Sequence, residues 1–290
     1  MFSKIIKSYA KINIGLRVLR KREDGFHDLE TIFYPIKLFD EITFHIEPSK
    51  INSNSVRLKS NKAYIPLTKE NICYKALELF FKTFYIKECY SIDLYLKKNI
   101  PVGGGLGGGS SNAATTIKAL VNFFEIDIEL NKKKILDLAL SIGSDVPFFL
   151  MSKPCYAEGR GEKMSLLNNF NINYDILIVN PNLHVSTKWA FEKLNVKPPN
   201  IKKIILKDIK TFDISEKQIF INDFEDIVFS KFDILKKLKY EFLEMGAVYS
   251  SMSGTGATMY AFFERNNNTL LNICKDYYHE KQYFTFVSDY

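Results

Sequence analysis

Pro101-Val102-Gly103-Gly104-Gly105-Leu106-Gly107-Gly108-Gly109-Ser110-Ser111-Asn112-Ala113-Ala114 is the segment on which the reading of this chain turns. Six of the chain's 14 glycines fall within seven consecutive residues of it. A tight turn needs one or two, so six ask for another reason. Downstream, Ala113, Ala114, Ile117, Leu120, Val121 and Phe124 recur at helical period, and a Ser or Asn at the entrance can cap the first turn. A helix entrance carries unpaired N–H groups and partial positive charge, and glycines let an anion reach that backbone. The segment reads as a phosphate-binding loop.

Spelling narrows the kind of loop. The P-loop of ATPases ends in Gly-Lys-Ser/Thr, whereas Gly109 is followed by Ser110-Ser111, which excludes it. Gly103, Gly105 and Gly108 satisfy the dinucleotide pattern, with Asp127 or Glu129 about 20 residues on. Any glycine-dense run does so, and that pattern belongs at the start of a doubly wound sheet rather than mid-chain after β-rich sequence. A redox enzyme is the lesser reading.

Outward from the loop, the 290 residues suffice for one large domain or two ordinary ones. Apolar residues at 46% and charged residues at 25% are the proportions of a globular protein with a sizeable core, which excludes disorder as the main state. No apolar run approaches the roughly 20 residues of a membrane-spanning helix, and no signal pattern opens the chain, so a cytoplasmic protein is expected. The net charge of +7 is lopsided: residues 1–150 carry 22 Lys/Arg against 16 Asp/Glu, the remainder 18 against 17. The basic half holds the glycines. Basic excess fits nucleic acid, a membrane surface or anionic small molecules, and does not choose among them. Arginine occurs only at 17, 20, 22, 57, 160 and 265, while lysine, asparagine and isoleucine abound, which is the mark of an AT-rich gene. The cysteines at 73, 89, 155 and 274 are too far apart for metal pairs and read as reduced, packed thiols.

Alternation predicts strands over Ile12–Leu19, Glu41–Ile46 and Ser91–Leu96, with a helix over Asn71–Phe84 between the last two. After the loop helix, Lys132–Ile142 reads as a helix ending at Gly143, and another starts at Ser144-Asp145 with Pro147 in its first turn. The rhythm changes near 155–165, past the polar run Glu158–Glu162. A domain boundary there gives an N-terminal domain over 1–160 and a C-terminal one over 161–290. The latter holds a strand at Tyr174–Val179, helices at Ser186–Leu194 and Asp233–Met245, and a strand at Ala257–Phe263. The fold class is α+β.

The loop segment resembles the ATP-binding signature of the GHMP small-molecule kinases. Three further segments fit in order: Ala10-Lys11-Ile12-Asn13, Gly143-Ser144-Asp145-Val146-Pro147 and Ser253-Gly254-Thr255-Gly256-Ala257. Ser8-Tyr9 stands where that family usually has a proline, and Ser144 where alanine is common; neither change removes a reactive group. The triple glycines and Asp24-Gly25-Phe26-His27-Asp28-Leu29 resemble the members that phosphorylate 4-diphosphocytidyl-2-C-methyl-D-erythritol, a CDP-linked polyol of the non-mevalonate isoprenoid route. The resemblance implies an N-terminal domain like ribosomal protein S5 domain 2 and a ferredoxin-like C-terminal domain. Another GHMP kinase, for homoserine, mevalonate or a sugar, is the alternative; a basic nucleic-acid-binding module is a more distant one.

The resemblance also implies roles. Asp145 is the proton acceptor and Lys11 its cationic partner. ATP lies along Pro101, Gly103, Gly104, Gly105, Leu106, Gly107, Gly108 and Gly109, with the Ser110 and Ser111 hydroxyls available to phosphate or Mg2+, and with Asn71 and Lys98 near the adenine. No protein metal cage is seen. Asn13 meets the polyol or its phosphates, Gly254 and Thr255 close over the site, and Phe26, His27 and Phe191 hold the cytosine by stacking and edge pairing. His45, His184 and His279 read as structural or surface residues. The expected partner is the small-molecule substrate, without nucleic acid or membrane, on a monomer or weak homodimer.

Overall fold

Two long strands open the chain: β1 (Phe2–Lys21) pairs with β2 (His27–Pro48), and the turn between them is closed by the Arg22 N–H donating to the Phe26 carbonyl at 2.8 Å. The computed structural model describes residues 2–194, 205–265 and 268–288. These form two compact units, each built from three stretches of chain. The first takes residues up to Ala10, Leu38–Ile100 and Gly108–Ser152; the second takes Lys11–Lys37, Pro101–Gly107 and Lys153 onward.

In the first unit, β3 (Ser55–Ser60) runs parallel to β4 (Tyr90–Lys97), which pairs antiparallel with Glu41–Pro48 of β2. Leu38, Ile42, Phe44 and Ile46 lie on the buried parity of β2, and Asp40 shares it. Between β3 and β4 comes α1 (Ile72–Phe84), started by Asn71, whose side chain accepts from the Cys73 N–H, and ended at Tyr85 in the left-handed region. Then α2 (Gly108–Phe123) packs on α1, α3 (Ile128–Ile142) adjoins both, and the short α4 (Val146–Met151) lies on α2. Residues 111–117 of α2 are all buried, small and β-branched side chains letting its neighbours come close. The helix starts earlier than its sequence suggests. Ser110, Ser111 and Asn112 therefore sit within its first turns instead of capping it, and the last two turn their side chains inward.

In the second unit, β5 (Cys155–Gly159) pairs antiparallel with Leu29–Phe33 of β2, and β6 (Lys163–Leu166) pairs with β5. Within the polar run at 158–162, residues 160–162 make the turn of that hairpin and Glu158 and Gly159 end β5. Next come β7 (Tyr174–Asn180), α5 (Thr187–Lys193), α6 (Glu225–Lys231), α7 (Asp233–Glu244), β8 (Tyr249–Met252), β9 (Met259–Glu264), α8 (Asn268–Glu280) and β10 (Phe284–Ser288). The strands are ordered β10-β7-β9-β8 and are antiparallel throughout. This is the β-α-β-β-α-β arrangement of ferredoxin-like domains. Asp175–Asn180 of β7 are all buried, so the strand reads as a continuous apolar run, and Leu177, Val179, Phe224, Leu235, Phe242, Phe263 and Tyr278 belong to one core.

The four cysteines are free thiols, and burial pushes Cys73 up to about 11 and Cys274 up to about 12, which leaves both unreactive. Among the described residues no helix is long and apolar enough to cross a membrane.

Candidate active site

Lys11 lies on β1 with its side chain buried. Its ammonium donates to Asn13 Oδ1 and, at 3.1 Å, to the carbonyl of Gly105, and its own N–H donates to the Leu106 carbonyl at 3.0 Å. The glycine loop is thus sewn to β1 through both the backbone and the side chain of one residue. A second seam joins it to the turn between β8 and β9: Ser253 Oγ donates to the Gly105 carbonyl at 2.9 Å, and the Thr258 N–H to that of Gly104 at 3.2 Å. Gly105 is in the left-handed region at φ +78°, and a Cβ there would overlap the Ser253 carbonyl oxygen. Only glycine fits.

Asn13 adds a bond from Nδ2 to Thr31 Oγ1 at 3.0 Å, its N–H donates to Ser253 Oγ at 3.3 Å, and its carbonyl accepts from the Tyr260 hydroxyl at 2.9 Å. Asn222 Nδ2 holds the carbonyls of Met252 and Gly254, and the Thr255 hydroxyl lies 3.0 Å from that of Thr187. Lys11, Asn13, Gly104, Gly105 and Leu106 are therefore joined, with Ser253 and Thr258, in one hydrogen-bonded group, and Gly254 adjoins it, since a Cβ there would fall 3.2 Å from the Gly105 Cα. His184, read from sequence as a structural or surface residue and exposed in the fold, lies beside the loop: a Cβ on Gly103 would fall 2.7 Å from His184 Nδ1.

The aromatic residues form a second cluster in the same unit. His27 is buried at the start of β2, and its ring lies 5.1 Å from that of Phe191 on α5, which in turn meets Phe224 edge-on at 4.8 Å. Phe191 has one side in the core and one on the histidine. Burial, helped by the charge of Lys21, holds the His27 pKa below the ordinary imidazole value, so the ring is neutral at pH 7 and offers one donor and one acceptor. Phe26 is 47% exposed, with the Arg160 guanidinium 3.7 Å from its ring centroid. Its N–H donates to Asp24, whose carboxyl is held below its usual range by the hydrogen bond from Arg22. Beside this turn opens a cleft of about 890 Å³ bordered by Arg20, Lys21, Asp28, Glu158 and Lys163. Some of its charges pair with each other, as in Arg20–Asp28 at 2.5 Å.

The first unit holds the remaining residues. Asp145 occupies the N-cap position of α4, yet its side chain makes no capping bond, so the carboxylate is not spent on the helix end. Gly108 and Gly109 open α2, and Ser110 is half-buried there, while Ser111 is buried and accepts from the Ser8 hydroxyl at 2.8 Å. Asn71 is engaged at both ends of its amide, as the cap of α1 and as donor to the Pro66 carbonyl at 2.7 Å. Lys98 is buried, ion-paired with Asp40, and donates to Asn112 Oδ1 at 2.7 Å; its backbone is bracketed by Asn61. Sequence reading passed over Asp40, which leaves a trace, a carboxylate on the apolar parity of a strand. Ser253 stood there as the first residue of the Ser-Gly-Thr-Gly motif, with no role given to its hydroxyl.

Among the described residues no group of three or more His, Cys, Asp or Glu side chains could hold a metal ion.

Residues 71–153 match the family model of the GHMP kinases N terminal domain, and residues 199–280 that of the GHMP kinases C terminal domain. A 4-diphosphocytidyl-2-C-methyl-D-erythritol kinase of Clostridioides difficile is 33% identical over 270 residues, covering 92% of this chain and 88% of the relative. One of Bacteroides thetaiotaomicron is 37% identical over 262 residues, covering 88% and 90%. A crystal structure of 4-(cytidine 5'-diphospho)-2C-methyl-D-erythritol kinase superposes with a TM-score of 0.75 at 26% identity, covering 98% of each chain. The homoserine kinase of Cytophaga hutchinsonii shares the fold, with a TM-score of 0.62 at 16% identity over 98% of this chain and 94% of that one.

Proposed function

The chain belongs to the GHMP kinase family, and from that premise we propose that it transfers the γ-phosphoryl group of ATP to a hydroxyl of 4-diphosphocytidyl-2-C-methyl-D-erythritol, in non-mevalonate isoprenoid precursor biosynthesis. The observation that carries the substrate is the aromatic cluster: a neutral His27 paired with Phe191, next in sequence to an exposed Phe26. Aromatic faces take up a cytosine ring, and a neutral imidazole pairs with its polar edge.

In this reading the backbone of Gly103 to Gly109 binds the triphosphate. The ammonium of Lys11, which donates to the loop at Gly105, stabilises charge on the moving phosphoryl group. The Asp145 carboxylate takes the hydroxyl proton as the new O–P bond forms and the bond from the γ-phosphorus to ADP breaks. Asn13 orients the polyol, and Gly254 and Thr255 border it. Asn71 and Lys98 act at the adenine side through the chain they hold in place, since their side-chain atoms are already engaged. A Mg2+ ion carried in with the nucleotide would supply positive charge to phosphoryl transfer, and the half-buried Ser110 hydroxyl would be available to hold it.

A coupled ADP-release assay with the CDP-linked tetritol, homoserine and mevalonate tests the assignment. Turnover is expected with the first alone, and no turnover with it overturns the reading.

A further inference from the structure

Asp40 is fully buried and is the hub of a network that reaches both ends of the glycine loop. One carboxylate oxygen accepts the N–H groups of Asn99 and Ile100, at 2.8 and 2.9 Å, which are the last residues before the loop begins at Pro101. The other accepts Asn112 Nδ2 at 3.0 Å, within the first turns of α2 where the loop has ended, together with the Lys98 ammonium. Asn112 is fixed in turn by Lys98 and by Ser8 Oγ at 2.9 Å, and Ser8 donates onward to Ser111. A single side chain thus ties the segment entering the loop to the segment leaving it.

The chemistry demands a carboxylate. Four donors converge on two oxygens, and an ionised carboxyl is the side chain that only accepts, with about four lone-pair sites. An amide of the same shape would offer one acceptor oxygen and would turn an NH2 group toward donors. A loop whose stems are held at fixed separation samples fewer conformations, so less order remains to be imposed when a ligand binds. We propose that Asp40 is a positioning residue for the nucleotide: it clamps both stems of the glycine loop, so that the loop backbone is set for a polyphosphate before one arrives. The nucleotide part of this inference rests on the function proposed above; the clamp does not.

Two variants of the whole chain test it. Asp40→Asn keeps the volume and one acceptor, while Asn112→Ala removes one arm and leaves Asp40 paired with Lys98, so it carries the test should the first fail to fold. The KM for ATP is expected to rise roughly tenfold in Asp40→Asn and about threefold in Asn112→Ala, the scale of a lost hydrogen bond to a charged group, with the KM for the CDP-linked substrate within about twofold. Hydrogen exchange of the ligand-free protein should quicken by about tenfold or more at the amides of 99–109 and stay unchanged in β7 and β9. Unchanged exchange at 99–109, or a rise spread evenly over the chain, overturns the clamp. Faster exchange at 99–109 with an unaltered KM for ATP overturns its bearing on the nucleotide. A wild-type chain that turns over no CDP-linked substrate sinks the functional reading, and the exchange measurement still decides the clamp.

Discussion

Lys98 in the first unit and Lys11 in the second are lysines of nearly equal burial, 5% and 4% exposed, in contrasting surroundings. The ammonium of Lys98 is met by side chains, the Asp40 carboxylate and the Asn112 amide, and its main chain is bracketed by Asn61. The ammonium of Lys11 is met by Asn13 and by a main-chain carbonyl of the glycine loop, with the Phe33 ring 5.2 Å away. Burial is thus no guide to what a cation does; the group it touches is. A lysine tied to a carboxylate holds a core together, whereas the one that donates to loop backbone is, in the function proposed above, the one that meets the phosphoryl group.

Mutation can break that contrast. The largest effect is expected on turnover: Lys11→Met and Asp145→Asn should each lower kcat by roughly 10² to 10⁴, with equilibrium ATP binding in Asp145→Asn persisting. Near wild-type kcat in either removes that residue from the chemistry. Lys98→Met should act on stability, costing about 3–5 kcal/mol in urea unfolding because it leaves Asp40 buried without its cation. If Lys11→Met lost as much stability as Lys98→Met, the two lysines would be doing the same job. Gly105→Ala is expected to cost about 1–3 kcal/mol of local strain and to raise the KM for ATP, since the φ of +78° and the Ser253 carbonyl both exclude a side chain; an unchanged KM would mean that the loop repacks freely.

The smallest effect is a pH dependence. His27 has a pKa depressed by burial, so it is neutral above the ordinary imidazole value of 6.5 and gains a proton only as pH falls through its lower folded value. The KM for the CDP-linked substrate should therefore be flat from pH 8 to about 6.5 and rise below, and the neutral His27→Gln should flatten that rise. Stability follows the same sign. Below 6.5 the unfolded chain takes up the proton first, so the folded state loses its advantage as pH drops toward the folded pKa. A KM that already climbs above pH 6.5 would contradict a buried, neutral ring.

The sequence carried the elements with strong periodicity. Asn71–Phe84, Lys132–Ile142, Asp233–Met245 and Tyr174–Val179 each correspond to an observed helix or strand, because an amphipathic stripe or an unbroken apolar run is written locally. β3 was missed: in Ser55-Val56-Arg57-Leu58-Lys59-Ser60 two apolar residues alternate with polar ones, a run too short to stand out, and its place is set by parallel pairing with β4. β10 escaped for a like reason, since Phe284–Val287 are only half-buried and owe their form to register with β7, whereas α8 was legible and missed, its buried Leu271, Cys274 and Tyr278 recurring at helical spacing. At the candidate site, glycines, lysines and the Phe-His pair stood out by spelling. Asp40 did not, because the donors that define it lie 58 to 72 positions away in the chain. What a residue bonds across such distances is set by topology, which no local window contains.

The contact of Gly105 with the Ser253 carbonyl also bears on how the gene can drift. Every glycine codon begins with a pair of guanines, and this chain has the lysine, isoleucine and asparagine surplus of a gene pulled toward adenine and thymine. Single-base changes at such codons insert aspartate, glutamate, serine, arginine or another residue with a Cβ. At position 105 each of these meets a carbonyl oxygen that is itself fixed between two strands. Nucleotide bias can trade arginine for lysine across the surface at little cost. Here it is opposed by the backbone of a distant turn, so a guanine-rich patch should persist in the gene where the two chain segments touch.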